Sequence, residues 1–391
     1  MSSNFSNIDK LCINTIRFLA VDAIQKANSG HPGAPMGQAP MAFVLWKHFL
    51  KHNPRNPKWF NRDRFVLSCG HASMLLYSLL HLTGYDVSID DIKNFRQWGS
   101  ITPGHPEFGL TPGVEITTGP LGQGFAHGIG MAFAERFLAA KFNKPNFPII
   151  DHYTYGIVSD GDLEEGISTE SASLAGTWNL NKLIYLYDCN HIQIEGDTRA
   201  VFTEDIAMKF QALNWNVVGP IDGFDCDAVY NSIKSAQSEK EKPSLIICKT
   251  IIGFPSPRQN SEKAHGEPLG QDNIDKTKEL ENWPLEPAFY IPDEVYNYMH
   301  EAVKSGRENE DTWNHLTDEY SNSYHELSNK MVEWINGNIK LSNEIDVLKI
   351  IGNPTKIATR VSSGKILNYL ADFIENLKSL FPNSDTYPAD G

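Results

Sequence analysis

The stretch Gly156-Ile157-Val158-Ser159-Asp160-Gly161-Asp162-Leu163-Glu164-Glu165-Gly166, read with Tyr185-Leu186-Tyr187-Asp188-Cys189-Asn190-His191-Ile192, decides the fold. Each half is an apolar, β-branched or aromatic run ending in an acid or amide, the pattern of a buried strand opening into a loop. Residues 167–179 between them are helix-length, with Leu174, Ala175 and Trp178 at helical spacing. Strand, helix, strand is a βαβ unit, and its crossover brings both strand ends to one edge of a parallel sheet. Asp160 and Asn190 are therefore predicted to meet at the carboxyl edge, where open α/β sheets take ligands. An Asp carboxylate, an Asn carbonyl and a nearby backbone carbonyl are hard oxygen donors. Such donors suit Mg²⁺, which completes its octahedron from phosphates and water. The same residues also read as plain turn and loop formers.

Working outward, 391 residues allow one large domain with an appendage, or two domains. A 41% hydrophobic and 21% charged composition is that of an ordinary globular protein. A net charge of −14 offers no dominant basic face, which argues against a nucleic-acid partner. Five scattered cysteines (Cys12, Cys69, Cys189, Cys226, Cys248) without a CxxC fit a reducing, cytoplasmic setting. The N-terminus lacks the basic and apolar regions of a signal peptide. No apolar run approaches the roughly 18 residues of a membrane span.

Residues 7–28 read as a helix with Cys12, Ile16, Leu19 and Ala23 on one face and Gly30 as its stop. Ser29-Gly30-His31-Pro32-Gly33-Ala34-Pro35-Met36-Gly37 reads as a stiff, tightly turned loop holding His31 between Gly and Pro. Residues 63–68 read as a strand and 72–82 as a helix, leaving His71 at a junction whose backbone N–H groups favour anions. Thr102-Pro103-Gly104-His105-Pro106-Glu107 again sets a His between Gly and Pro. Thr117-Thr118-Gly119-Pro120-Leu121-Gly122-Gln123-Gly124 is a glycine-rich loop ahead of a helix, a general phosphate-loop design. Gly128 and Gly130 inside that helix suggest close approach by another backbone or a bound group. Apolar runs at 215–218 and 244–248, with a helical pattern at 228–236, extend the alternation into a doubly wound, mostly parallel α/β sheet with helices on both faces. Glu262-Lys263-Ala264-His265-Gly266-Glu267 places a further His in a long polar loop of the kind that forms lids. Residues 285–350 turn polar with a thin apolar stripe and read as outer helices or a linker.

An Asp-Gly after a strand followed by an Asn after the next strand resembles the thiamine-diphosphate motif. That pattern starts Gly-Asp-Gly and ends Asn-Asn or Asp-Asn; here Ser159 and Cys189 replace the flanking residues. Together with the loops around His31, His71, His105 and Gly119 and the segment Lys249-Thr250-Ile251-Ile252-Gly253, the chain resembles the N-terminal half of a transketolase over residues 8–270. The match resumes at Lys356-Ile357-Ala358-Thr359-Arg360. The resemblance implies a thiamine-diphosphate-binding fold and the transfer of a two-carbon ketol unit between sugar phosphates in the pentose phosphate pathway. It implies Mg²⁺, with Ca²⁺ or Mn²⁺ as alternatives, held by Asp160, Asn190 and the carbonyl of Ile192. It implies contacts to thiamine diphosphate from His71, Gly161, Asn190, Gly119, Pro120, Leu121 and His265. His31, His105 and His265 would be catalytic, lining the place where the sugar reacts, with His31, His265 and Arg360 binding substrate. Glu165 matches an acid near the family's subunit contact.

The expected organisation is a diphosphate-binding domain at 1–280, a helical linker at 281–355, and the start of a pyrimidine domain at 356–391. A tail at 380–388 stands where the family's Gly-Gly-Ser-Ala-Asp-Leu segment is expected. The resemblance implies that the acid that activates the aminopyrimidine would lie beyond residue 391, and that the family site forms between two subunits. The expectations are thus one subunit of a split transketolase in a homo- or hetero-oligomer, a truncated form, or a non-catalytic regulatory relative.

Overall fold

The computed structural model describes residues 5–337, 346–352 and 356–373; the 380–388 tail lies outside them. The chain forms two compact units, residues 1–136 with 150–315, and residues 137–149 with 316–391.

The first unit is built on five parallel strands: β1 (Arg64–Leu67), β2 (Thr154–Ser159), β3 (Leu183–Cys189), then, past a small hairpin of β4 (Ile192–Gln193) and β5 (Gly196–Asp197), β6 (Asn216–Asp222) and β7 (Ser244–Lys249). Their order across the sheet is β1-β2-β3-β7-β6, parallel at every pairing. The helices are α1 (Asn7–Ala27), α2 (Gly33–His48), α3 (Ser73–Thr83), α4 (Ile89–Lys93), α5 (Gln123–Phe142), α6 (Asp160–Glu164), α7 (Gly166–Thr177), α8 (Ile206–Ala212), α9 (Cys226–Ser238) and α10 (Gln271–Leu280), followed by α11 (Asp293–Ser323) and α12 (His325–Ile335).

The two-residue period of a strand sorts the sheet onto two cores. Ile184 and Leu186 of β3 and Ile246 and Cys248 of β7 join residues of α1, α2, α3 and α9 in one cluster. Their alternates Leu183, Tyr185, Tyr187, Leu245 and Ile247 join residues of α5, α7 and α8 in another. A sheet buried on both faces must read as unbroken apolar runs, and these strands do. The doubly wound expectation therefore holds. Along β1 to β3 the chain steps one way; it then jumps to the edge at β6 and returns to β7. That reversal opens a crevice between the ends of β3 and β7.

Several local expectations change. Asn28, not Gly30, takes the left-handed turn that ends α1, at φ 49°. The 29–37 loop is shorter than expected because helix begins at Gly33; Pro35 in its first turn has no N–H to lose to the helix ladder. Leu174 faces outward at 45% exposure, while Ala172 and Ala175 are buried. A Cβ on Gly128 would meet the Tyr185 hydroxyl at 2.0 Å, whereas Gly130 has nothing within 4 Å. Among the described residues of the polar segment from 285, Asp293–Ser323 and His325–Ile335 are helical, and Val295 and Met299 of α11 are buried in the main core rather than on an outer surface.

In the second unit Tyr320 donates to the Phe142 carbonyl at 2.7 Å, and Phe137 stacks on Trp334 at 6.0 Å. Its last described helices are α13 (Val347–Ile351) and α14 (Thr359–Phe373). Among the described residues no helix is long and apolar enough to cross a membrane.

Candidate active site

Asp160 is the first residue after β2 and Asn190 the first after β3. Parallel register aligns Ser159 with Asp188, so the two ends must emerge together. Asp160 Oδ2 accepts the backbone N–H groups of Asn190 at 3.1 Å and His191 at 2.9 Å. Its Oδ1 accepts the Tyr187 hydroxyl. Burial raises the Asp160 carboxyl above its ordinary range, opposed by those three donors. Asn190 Oδ1 accepts from Ile192 N at 2.9 Å and its amide donates to Asp188 at 3.0 Å. The hydroxyl of Ser159 bonds Asp162 within a capping box, on extended backbone at φ −112° that needs no glycine.

A layer of buried polar groups supports this pair. Asp188 accepts from Gln38 at 2.7 Å and from the Thr250 hydroxyl, and burial lifts its carboxyl to about 6. Asp162 accepts from Ser68 at 2.7 Å and from Gly122 N at 2.8 Å, which ties the ends of β1 and β2 to the glycine-rich loop. Gln38, Ser68, Asp162, Asp188 and Arg96 were not singled out from sequence. Asp162 stands three residues after Ser159, a readable capping pattern; Gln38 is a lone amide in an apolar helix. Arg96 carries no comparable signal.

Four loops bring four imidazoles together. The ring of His31 lies 5.1 Å from His71, 6.4 Å from His105 and 5.7 Å from His265, and His71 stacks on His265 at 5.1 Å. Arg96 donates to Ser29 at 2.8 Å and to His31 Nδ1 at 3.4 Å. Guanidinium only donates, so neutral His31 carries its proton on Nε2. Leu121 approaches Gly161, whose added Cβ would lie 3.0 Å from its side chain. Among the described residues, His265 Nδ1, Thr118 Oγ1 and Arg96 Nε are buried with no partner. Buried polar atoms are costly to leave unpaired. Pro120 and Glu165 are exposed, and Arg360 is exposed on α14 of the second unit.

Burial lowers all four imidazoles; His265, Arg96 and His105 add to it and bring His31 to about 4. A His whose folded pKa lies below its unfolded 6.5 destabilises the fold as pH falls from 6.5 toward 4 and has no such effect above. His31 is expected to stay largely uncharged down to pH 5 in ¹⁵N imidazole spectra of the free chain, and His71 to titrate below the ordinary range. Titration of His31 near 6.5 would contradict the buried arrangement.

Fold and site together define an α/β protein with a cluster of buried polar groups and imidazoles at the carboxyl edge of a parallel sheet, the place where such sheets take ligands. The chain belongs to the transketolase family: residues 8–340 match the family model described as "Transketolase, thiamine diphosphate binding domain". It is 51% identical over 369 residues to Transketolase 2 of Escherichia coli K12, covering 93% of this chain and 55% of that protein. It is 50% identical to a transketolase of Halalkalibacterium halodurans, covering 95% and 56%. Among solved structures, the Pichia stipitis transketolase in complex with sedoheptulose 7-phosphate superposes with a TM-score of 0.86 at 43% identity, over 93% of this chain and 54% of that one. The Leishmania mexicana transketolase gives 0.87 at 40% identity, over 94% and 55%. The chain spans about half the length of the curated relatives it matches.

Proposed function

We propose that the chain carries the diphosphate-binding half of a transketolase active site. On this reading it acts in thiamine-diphosphate-dependent transfer of a two-carbon ketol unit between sugar phosphates, with the aminopyrimidine half supplied by further polypeptide. The carrying observation is the pairing of Asp160 with Asn190 at the sheet edge that also gathers His31, His71, His105 and His265. The donor set fits the cofactor: hard oxygens for Mg²⁺ or a similar ion, and imidazole, amide and backbone donors for a diphosphate. Asp160, Asn190 and the Ile192 carbonyl would hold the metal. Gly161, Asn190, His71 and His265 would contact the diphosphate, and Gly119 to Leu121 would flank the rings. When bound, the thiamine ring supplies the electron sink for carbon–carbon cleavage.

The protein's own part is positioning and proton traffic. His31, uncharged at neutral pH with its proton on Nε2, can donate to a sugar hydroxyl or carbonyl oxygen. His105 and His265 are likewise uncharged and can accept protons from hydroxyl groups. Arg360 offers a fork for the substrate phosphate.

The test mixes the chain with a polypeptide bearing the aminopyrimidine-binding half and follows ketol transfer from xylulose 5-phosphate to ribose 5-phosphate. The chain alone is expected to bind thiamine diphosphate with little turnover, and the mixture to turn over. His31→Ala or His265→Ala then lowers the rate by about 10²–10⁴-fold without unfolding. Unchanged rates in both variants would reduce these imidazoles to scaffold.

A further inference from the structure

We propose that Cys189, His191 and Asp160 form a second, soft-metal site at the lip of the cleft, suited to Zn²⁺, whose occupation excludes the hard cation and the diphosphate. The exclusion rests on the functional reading above, because both ions would claim Asp160; the zinc site itself does not.

The three residues offer one thiol, one imidazole nitrogen and one carboxylate oxygen, all within 4.8 Å of one another. Cys189 Sγ lies 3.5 Å from His191 Nε2. A tetrahedral zinc with ordinary Zn–S and Zn–N bonds separates those atoms by about 3.6 Å, so the pair is already spaced as ligands. Thiolate and imidazole select zinc, whereas Mg²⁺ takes oxygens. Neither residue belongs to the acid–amide pair or to the imidazole cluster, so their closeness is otherwise unused.

The backbone adds a second observation. His191 holds φ at 60°, left-handed space that costs an L residue about 1–2 kcal/mol and that glycine takes freely. In that conformation His191 Nε2 lies 3.5 Å from Cys189 Sγ. His191 is exposed and Cys189 nearly buried. Both border a cavity of about 560 Å³ shared with Asp160, Tyr187 and Lys249, which gives an ion a way in.

Binding is an exchange without redox change. The Cys189 S–H bond breaks, its proton leaves to solvent, and a sulfur–metal bond forms. Metal binding to a thiol displaces its proton, so proton release accompanies binding.

The experiment titrates Zn²⁺ into the full chain against a chromophoric chelator, with proton release followed in weak buffer. It is repeated with Co²⁺, whose thiolate coordination gives a near-ultraviolet charge-transfer band. One ion per chain is expected, weakened about 100-fold in Cys189→Ser and in His191→Gly, and the cobalt band should vanish in Cys189→Ser. Glycine accepts the backbone at 191 and keeps its N–H to Asp160, so the second variant folds even where the first does not. Absence of stoichiometric binding to the parent chain, or variants that both bind as tightly as the parent, overturns the site. A second arm measures Mg²⁺-dependent thiamine diphosphate uptake with and without preloaded Zn²⁺. Zinc is expected to block uptake in the parent chain and not in Cys189→Ser; uptake indifferent to bound zinc overturns the exclusion. Failure of thiamine diphosphate to bind even without zinc would overturn the functional reading and leave the zinc titration standing.

Discussion

Asp160→Ala is expected to abolish metal-dependent thiamine diphosphate binding, a loss beyond about 100-fold in isothermal titration. Removing a group that merely orients a ligand already costs about 10–100-fold, and Asp160 would be the ligand itself. The geometry explains why nothing replaces it. A carboxylate has about four lone-pair positions. Two backbone N–H groups and the Tyr187 hydroxyl occupy three and fix the plane of the group. One position on Oδ1 stays open, aimed by the other three. Asp160→Asn keeps the size of the side chain and removes the charge, and is expected to fold and still lose the metal. Because burial raises the Asp160 carboxyl above its ordinary range, affinity is also expected to fall on acidification sooner than for a solvated aspartate. Unchanged affinity in a folded Asp160→Ala would place the metal elsewhere.

The parts legible in the sequence are those with a local signature. The buried strands β2, β3 and β7 are unbroken apolar runs, and the one-edge rule for crossovers was enough to pair Asp160 with Asn190. A His between Gly and Pro marked His31 and His105. What escaped was set by contacts between distant segments. Gln38 reaches Asp188 across 150 positions, and Ser68 reaches Asp162 across 94; no window of sequence holds either pair. Gly128 and Gly130 look alike in the helix, yet only the first meets Tyr185, because neighbours on another strand decide the difference. Leu174 shows the same limit: helical spacing selected a stripe, and the sheet covered only part of it.

Gly33→Ala is expected to lower ketol transfer in the reconstituted assay by about 100-fold, with a smaller loss of thiamine diphosphate binding because Asp160 and Asn190 stay in place while His265 moves. On helix propensity alone the change should help, since Ala is favoured over Gly by about 1 kcal/mol inside a helix. Contact reverses the sign. A Cβ at residue 33 would sit 2.4 Å from the Ala264 carbonyl oxygen and 2.5 Å from Ile252 Cγ1. The carbonyl is backbone and cannot rotate away as a side chain could. Gly33 O also accepts from Gly253 N at 2.9 Å, so the α2 start is pinned to the segment leaving β7. Relief must come from moving the 262–266 loop, and that loop carries His265. Its ring now lies 5.7 Å from His31, which stands two residues before Gly33. A misplacement near 1 Å between groups that act on one substrate can cost about 10²-fold. Gly130→Ala is the matched control: it has nothing within 4 Å, and the helix should accept it with a gain of about 0.5–1 kcal/mol in thermal unfolding. If both variants keep full activity, the contact between the two histidine loops does not govern the spacing of their imidazoles.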